Sequence, residues 1–188
     1  KPGLTPMRPG DVFETSWQGG GGFGDPLARD PASVAHDLTM GHLSEKFAAN
    51  IYGVVLSAHG EVDEVATLHK RSSIKAARLA TAKSPAIQHA GSMECDRAIG
   101  GALFFGRKNG QRWFGCSCGQ PLAPSSGAWR SGSARRCVDP AEINPAIRLH
   151  AELEMRQYLC PSCGVSLSVD VSLRTAEDLH DISLHEAS

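Results

Sequence analysis

The sequence predicts an α+β chain, with a strand-plus-helices segment over 1–80, a linker at 81–94 and a β-rich domain over 95–188. Three observations carry that expectation. Apolar residues at spacings of three and four, in runs opened by Asp or Ser caps, fill 30–80. Apolar runs, Ala102–Phe105 and Trp113-Phe114, flank an Asn-Gly dipeptide in the second half. Two tight cysteine pairs, Cys116-Ser117-Cys118 and Cys160-Pro161-Ser162-Cys163, each follow an expected strand.

Phe13, Thr15 and Trp17 alternate with polar neighbours, which predicts a strand over 11–18 with one buried face. Gly19 to Gly22 and Gly24 then force a loop whose backbone can approach something closely. Asp30 and Pro31 read as N-cap and first position of a helix carrying Val34 and Leu38, ended by Gly41. Ser44 caps a short helix with Phe47 and Ile51, closed by Gly53, and Val54-Val55-Leu56 reads as a brief buried strand. Asp63 caps a longer helix on which Val65, Leu68, Ser72, Ala76 and Leu79 share one face, with Lys70, Arg71, Lys75 and Arg78 on the others. That basic run reads most simply as solvated or partner-facing.

Residues 81–94 lack periodicity and carry Pro85 and Gly91, which makes them the linker. Asn109-Gly110, between Ala102–Phe105 and Trp113-Phe114, predicts a tight hairpin. Residues 119–148 read as loop-rich. Leu149, Ala151, Leu153 and Met155 alternate toward Cys160, and Leu167, Val169, Val171 and Leu173 alternate after Cys163.

The 19 Lys and Arg against 20 Asp and Glu leave a formal charge of −1, without the basic excess of nucleic-acid binders. No apolar run approaches the ~20 residues of a membrane span. Paired cysteines suit a metal site in a reducing, cytoplasmic setting better than a secreted disulfide framework.

A structural zinc site takes four ligands in a tetrahedron, and two short cysteine turns supply two sulfurs each. Cys116, Cys118, Cys160 and Cys163 are therefore the expected zinc ligands, in the arrangement of a zinc ribbon. Gly119 and Gly164, which follow the pairs, let the chain turn past the metal. Iron fits the same ligands. Reduced buried thiols, or a redox Cys-x-x-Cys pair, are the competing readings; the second requires a helix after Cys163, where alternation predicts a strand. Cys95 and Cys137 stand alone as free thiols, although Cys137 is able to replace one member of the tight pair. His150 and His180 lack ligand spacing, and Asp25, His36, Asp37 and His42 cluster in sequence only, which does not make a catalytic or metal site. The glycine loop lacks the Lys-Ser/Thr ending of a phosphate-binding loop, so a packing turn competes with a ligand loop. No residue presents itself as catalytic.

Two resemblances extend this reading. Pro9-Gly10-Asp11-Val12, the Gly19–Pro26 loop, Asp30-Pro31, Tyr52–Leu56 and Val62–Thr67 resemble the C-terminal end of hydantoinase B/oxoprolinase-type subunits. Cys116-x-Cys118-Gly119, Cys160-Pro161-x-Cys163-Gly164, Leu167–Val171 and Leu179–Leu184 resemble the small zinc-binding subunit of acetone and acetophenone carboxylases. Together they imply a mainly structural Zn2+ subunit of an ATP-dependent ketone carboxylase. Its partners would be hydantoinase A-like and hydantoinase B-like large subunits, which would carry ATP and a divalent cation. The resemblance also implies that 1–80 completes a larger subunit in trans, the 11–18 strand adding to its sheet. A subunit of an ATP-dependent hydantoinase, oxoprolinase or lactamase is the alternative, and a zinc-ribbon adaptor or nucleic-acid-binding module is a third.

Overall fold

A computed structural model of the chain describes residues 6–13, 22–143 and 147–182. Asp25 caps a 3-10 turn at Pro26–Ala28. Helix α1 follows at Pro31–Thr39, with the Asp30 carboxylate accepting from Ser33 N–H and proline inside the first turn. The one-turn α2, Glu45–Phe47, is capped by Ser44 and widens into a π-turn at Ala48–Tyr52. Gly53, at φ +63°, ends it, since a left-handed residue is what the chain needs there. Asp63 caps α3, Glu64–Ala80. Val34, Ala48 and Val54 form the small core of this part, with Leu38, Tyr52 and Val62 around it.

The second half holds two antiparallel sheets. The first, in order β1-β2-β3-β4, comprises Glu94–Ala98, Leu103–Lys108, Gln111–Cys116 and Pro121–Pro124. Asn109 (φ 51°) and Gly110 (φ 79°) give the β2-β3 turn the two left-handed residues that match strand twist. The second sheet is β5-β6-β7, at Ala134–Val138, Leu153–Leu159 and Ser166–Leu173. Leu103, Phe114, Leu122, Trp129 and Tyr158 form the core between them. Full burial of a Phe or Leu stabilises by about 1.5–3 kcal/mol, so this cluster dominates the apolar stabilisation of the unit.

Two buried arginines lie on the Tyr158 side of the second sheet. Arg130 stacks 4.5 Å from the Trp129 ring and pairs with Asp170 at 2.9 Å and with Asp181. Arg156 pairs with Glu154 at 2.7 Å and Asp178 at 3.3 Å. Asp178 and Asp181 thus strap the C-terminal segment across the sheet.

Several expectations change. Of the 11–18 strand, residues 14–18 lie outside the described residues, and 11–13 form no strand. Val54-Val55-Leu56 is no strand either; only Leu56 bridges Val62. Residues 119–148, read as loop, contain β4, a 3-10 turn at Trp129–Gly132 and β5. Alternation from Leu149 starts a strand only at Leu153.

The largest correction concerns α3. Val65 and Leu68 are 68% and 67% exposed. The opposite face turns inward: Arg71 donates to the carbonyls of Tyr52 and Arg29, and Arg78 pairs with Asp25. Backbone carbonyls and a buried carboxylate were better partners for that face than apolar packing was.

The 1–80 segment packs on the β-rich unit. Asp25 is buried and accepts from Leu27 N–H at 3.0 Å, Arg78 at 2.8 Å and Ser166 N–H at 2.8 Å. A Cβ on Gly101 would stand 2.6 Å from Gly24 Cα, so both glycines permit this approach. Residues of the expected linker run along the β unit, with Lys83 bridging Arg135 and Ile87 N–H donating to the Ser131 carbonyl.

Candidate metal centre

Each cysteine pair sits in the turn of an antiparallel strand pair. Cys116 ends β3, and the chain turns through Cys118 and Gly119 into β4. Cys160 follows β6, and the chain turns through Cys163 and Gly164 into β7. In each turn the glycine N–H donates back to the carbonyl of the pair's first cysteine, Gly119 to Cys116 three residues back at 2.8 Å and Gly164 to Cys160 four residues back at 2.9 Å. Both glycines have positive φ, +87° and +70°. The strand after Cys163, in place of a helix, departs from the redox-pair pattern.

The core packs the two turns together. All four Sγ atoms lie within 4.8 Å of one another, with Cys116···Cys163 at 3.7 Å and Cys118···Cys160 at 3.6 Å. A tetrahedron of thiolates with ~2.3 Å arms has edges of ~3.8 Å, so these sulfurs suit a zinc-sized ion. They are too far apart for a disulfide, whose S–S bond is ~2.05 Å. The four cysteines can hold a metal ion, and they are the one such donor group among the described residues.

Electrostatics within the cluster point the same way. Hydrogen bonds from Cys116, then from Cys160, pull the Cys163 thiol down strongly. Cys160 is driven up by its bonds to Cys116 and Cys163 and by burial. For Cys116 the bond with Cys160 lowers, but the bond with Cys163 and burial prevail and push it up to about 12. A cation bound among the four sulfurs would displace their remaining protons. Backbone N–H groups of Cys118, Cys163 and Val165 also bond the sulfurs of Cys116, Cys160 and Cys163.

The other thiols stand outside the cluster. Cys137 reaches the Glu154 carboxylate at 3.5 Å and replaces no ligand. Cys95 donates to the Cys116 carbonyl at 3.4 Å, a neighbour of the first turn that no spacing rule would find. His150 is exposed beside Glu152, and Asp37 pairs with Arg29.

The second cysteine turn also touches α3. A Cβ on Gly164 would meet the Lys75 carbonyl oxygen at 2.9 Å and Lys75 Cβ at 3.0 Å. The buried Asp25–Ser166 bond lies three residues beyond Cys163. The Asp25-Pro26 step is a local N-cap signal that the sequence reading passed over, and no spacing marks its bond across 141 residues.

No family model matches the chain. It is 45% identical to the acetone carboxylase alpha subunit of Xanthobacter autotrophicus over 37% of this chain and 10% of that protein. It is 40% identical to the caprolactamase subunit beta of Pseudomonas jessenii over 37% of this chain and 12% of that protein. With the acetophenone carboxylase delta subunit of Aromatoleum aromaticum it shares 46% identity over 30% of this chain and 8% of that protein. The chain therefore spans about a tenth of the length of the curated relatives it matches. Over about a third of its length, it is homologous to subunits of two carboxylases and a caprolactamase.

Proposed function

We propose that this chain is a small, mainly structural zinc-binding subunit of a multi-subunit ATP-dependent ketone carboxylase, which joins a ketone and bicarbonate into a β-keto acid. What carries the reading is one packed chain holding both a four-cysteine cluster and a stretch homologous to carboxylase subunits. Cys116, Cys118, Cys160 and Cys163 ligate the zinc. Four thiolates leave no open position, so the metal's role is to hold the fold. ATP and a divalent cation belong to hydantoinase A-like and hydantoinase B-like large subunits, in a cytoplasmic complex. No described helix is long and apolar enough to cross a membrane.

The outward residues Val65 and Leu68 of α3 are the surface this reading gives to the hydantoinase B-like subunit. The homologous stretch is about a tenth of the acetone carboxylase relative's length. The zinc turn and Asp25 hold α3 from behind.

The test is to purify the native complex, identify its chains and measure ATP hydrolysis. Hydrolysis dependent on a ketone and bicarbonate supports the proposal. The caprolactamase relative favours a second reading, a subunit of an ATP-dependent amide-cleaving enzyme. Hydrolysis driven by cyclic amides without bicarbonate would select it and overturn the first. Arg130, Arg135 and Arg156 pair with carboxylates of this chain, which leaves the nucleic-acid reading little cationic surface on that sheet.

A further inference from the structure

A cavity of about 530 Å3 lies where α3 meets the second sheet, a volume within the range of small-molecule sites. Ile51, Ile74 and Ala77 line it from the helical side, and Val138, Met155 and Val169 from the sheet. A hydrogen-bonded chain of polar groups runs through this apolar lining. Arg136 Nε donates to Gln157 Oε1 at 2.7 Å, and Gln157 Nε2 donates to Ser166 Oγ at 3.0 Å. Ser166 N–H donates to Asp25, which also takes Arg78, both at 2.8 Å.

The two arginines differ in how their charge is met. Arg78 faces a fully buried carboxylate at 2.8 Å. Arg136 faces Glu142 at 3.5 Å, and the Glu142 side chain is more than half exposed. Nη1 of Arg136 makes no hydrogen bond among the described residues. The guanidinium is therefore fixed at Nε, part-buried against apolar walls, with donors to spare and one positive charge loosely compensated. Such a group recognises a carboxylate by charge-assisted hydrogen bonds, and the walls take up an apolar body.

We propose that this cavity binds an organic monocarboxylate with an apolar body, its carboxylate seated on Arg136. A single cation met only by the partly exposed Glu142 matches a single negative charge, and Ile51, Ile74, Ala77, Val138, Met155 and Val169 offer the rest of the ligand apolar contact. The proposal stands apart from the carboxylase reading.

Isothermal titration of the zinc-loaded full chain with octanoate tests it, with octanamide as the neutral isostere. Saturable one-to-one binding of octanoate is expected, weakened about tenfold or more by Arg136→Gln and for octanamide. Ala77→Trp should abolish binding while zinc content and circular dichroism stay unchanged. Should that variant fail to fold, Arg136→Gln and the octanamide comparison decide. Absence of saturable binding, equal affinity for octanamide, or unchanged affinity in Arg136→Gln would overturn the proposal.

Discussion

Replacing Asp25 by alanine should destabilise the chain by about 5 kcal/mol. The carboxylate side chain is fully buried, Arg78 keeps 11% exposure, and the two meet at 2.8 Å. Breaking a buried pair by removing one partner costs about 3–5 kcal/mol, because the other charge is stranded. Residual access of water to Arg78 places this case at the low end. Ser166 and Leu27 also lose the acceptor of their N–H groups, each worth about 1 kcal/mol. Since domains are stable by about 5–15 kcal/mol, the variant should sit near the edge of folding. Asp25→Asn keeps one acceptor oxygen and should cost about half as much.

The assay is urea unfolding at saturating zinc, followed by circular dichroism, on Asp25→Ala, Arg78→Met and the double variant. A coupling of about 2 kcal/mol is expected, since alanine no longer strands a charge once Arg78 is gone. The loss should also reach the metal: zinc transfer to a chelator should speed up in Asp25→Ala, because Ser166 follows the second cysteine turn. A cost below about 1 kcal/mol, or additive single changes, would refute the claim that Asp25 joins the two parts of the chain.

Purified protein should carry about one equivalent of zinc, lost in Cys160→Ser and Cys163→Ser together with structure in the C-terminal half, and retained in Cys137→Ser. A native fold with no metal in those two variants would sink the site. Gly164→Ala should destabilise by about 1–3 kcal/mol, because it combines a left-handed φ with a clash against α3; thermal unfolding unchanged from wild type would contradict this packing. Stability should also fall in acid. Burial alone would raise the Asp178 carboxyl, but hydrogen bonds from Tyr158 and Arg135 win and hold it below its ordinary value. Asp181 is held down likewise by Arg130 against the effect of burial, and Glu154 by Arg156 first. The unfolded chain then binds these protons more readily. The stabilisation is complete above the ordinary carboxyl pKa near ~4 and fades as pH falls through the lower folded values. The melting-temperature gap between wild type and Asp178→Asn should therefore narrow from about pH 6 to about pH 3. A constant gap would show that Asp178 does not act through its charge.

What the sequence determined by itself was local. Asp30, Ser44 and Asp63 each cap the helix they were expected to open, since a cap needs only a side-chain oxygen and an N–H two or three residues on. Asn109-Gly110 turns its hairpin because both residues accept left-handed angles. The cysteine spacing identified the four thiols that meet, because two short turns at the ends of strand pairs can present sulfurs in few other ways.

Tertiary structure decided everything that depends on which surfaces face each other. Periodicity measures only how apolar residues are spaced, so it could not tell that α3 turns its arginines inward toward Tyr52, Arg29 and Asp25. Residues 119–148 hid β4 and β5 behind Gly, Pro and Ser, because their pairing energy comes from neighbouring strands and not from local propensity. A buried carboxylate reaching 141 residues along the chain to Ser166 leaves no trace in spacing. That long-range contact, with Gly164 against Lys75, is what makes the helical segment and the cysteine cluster one packed body.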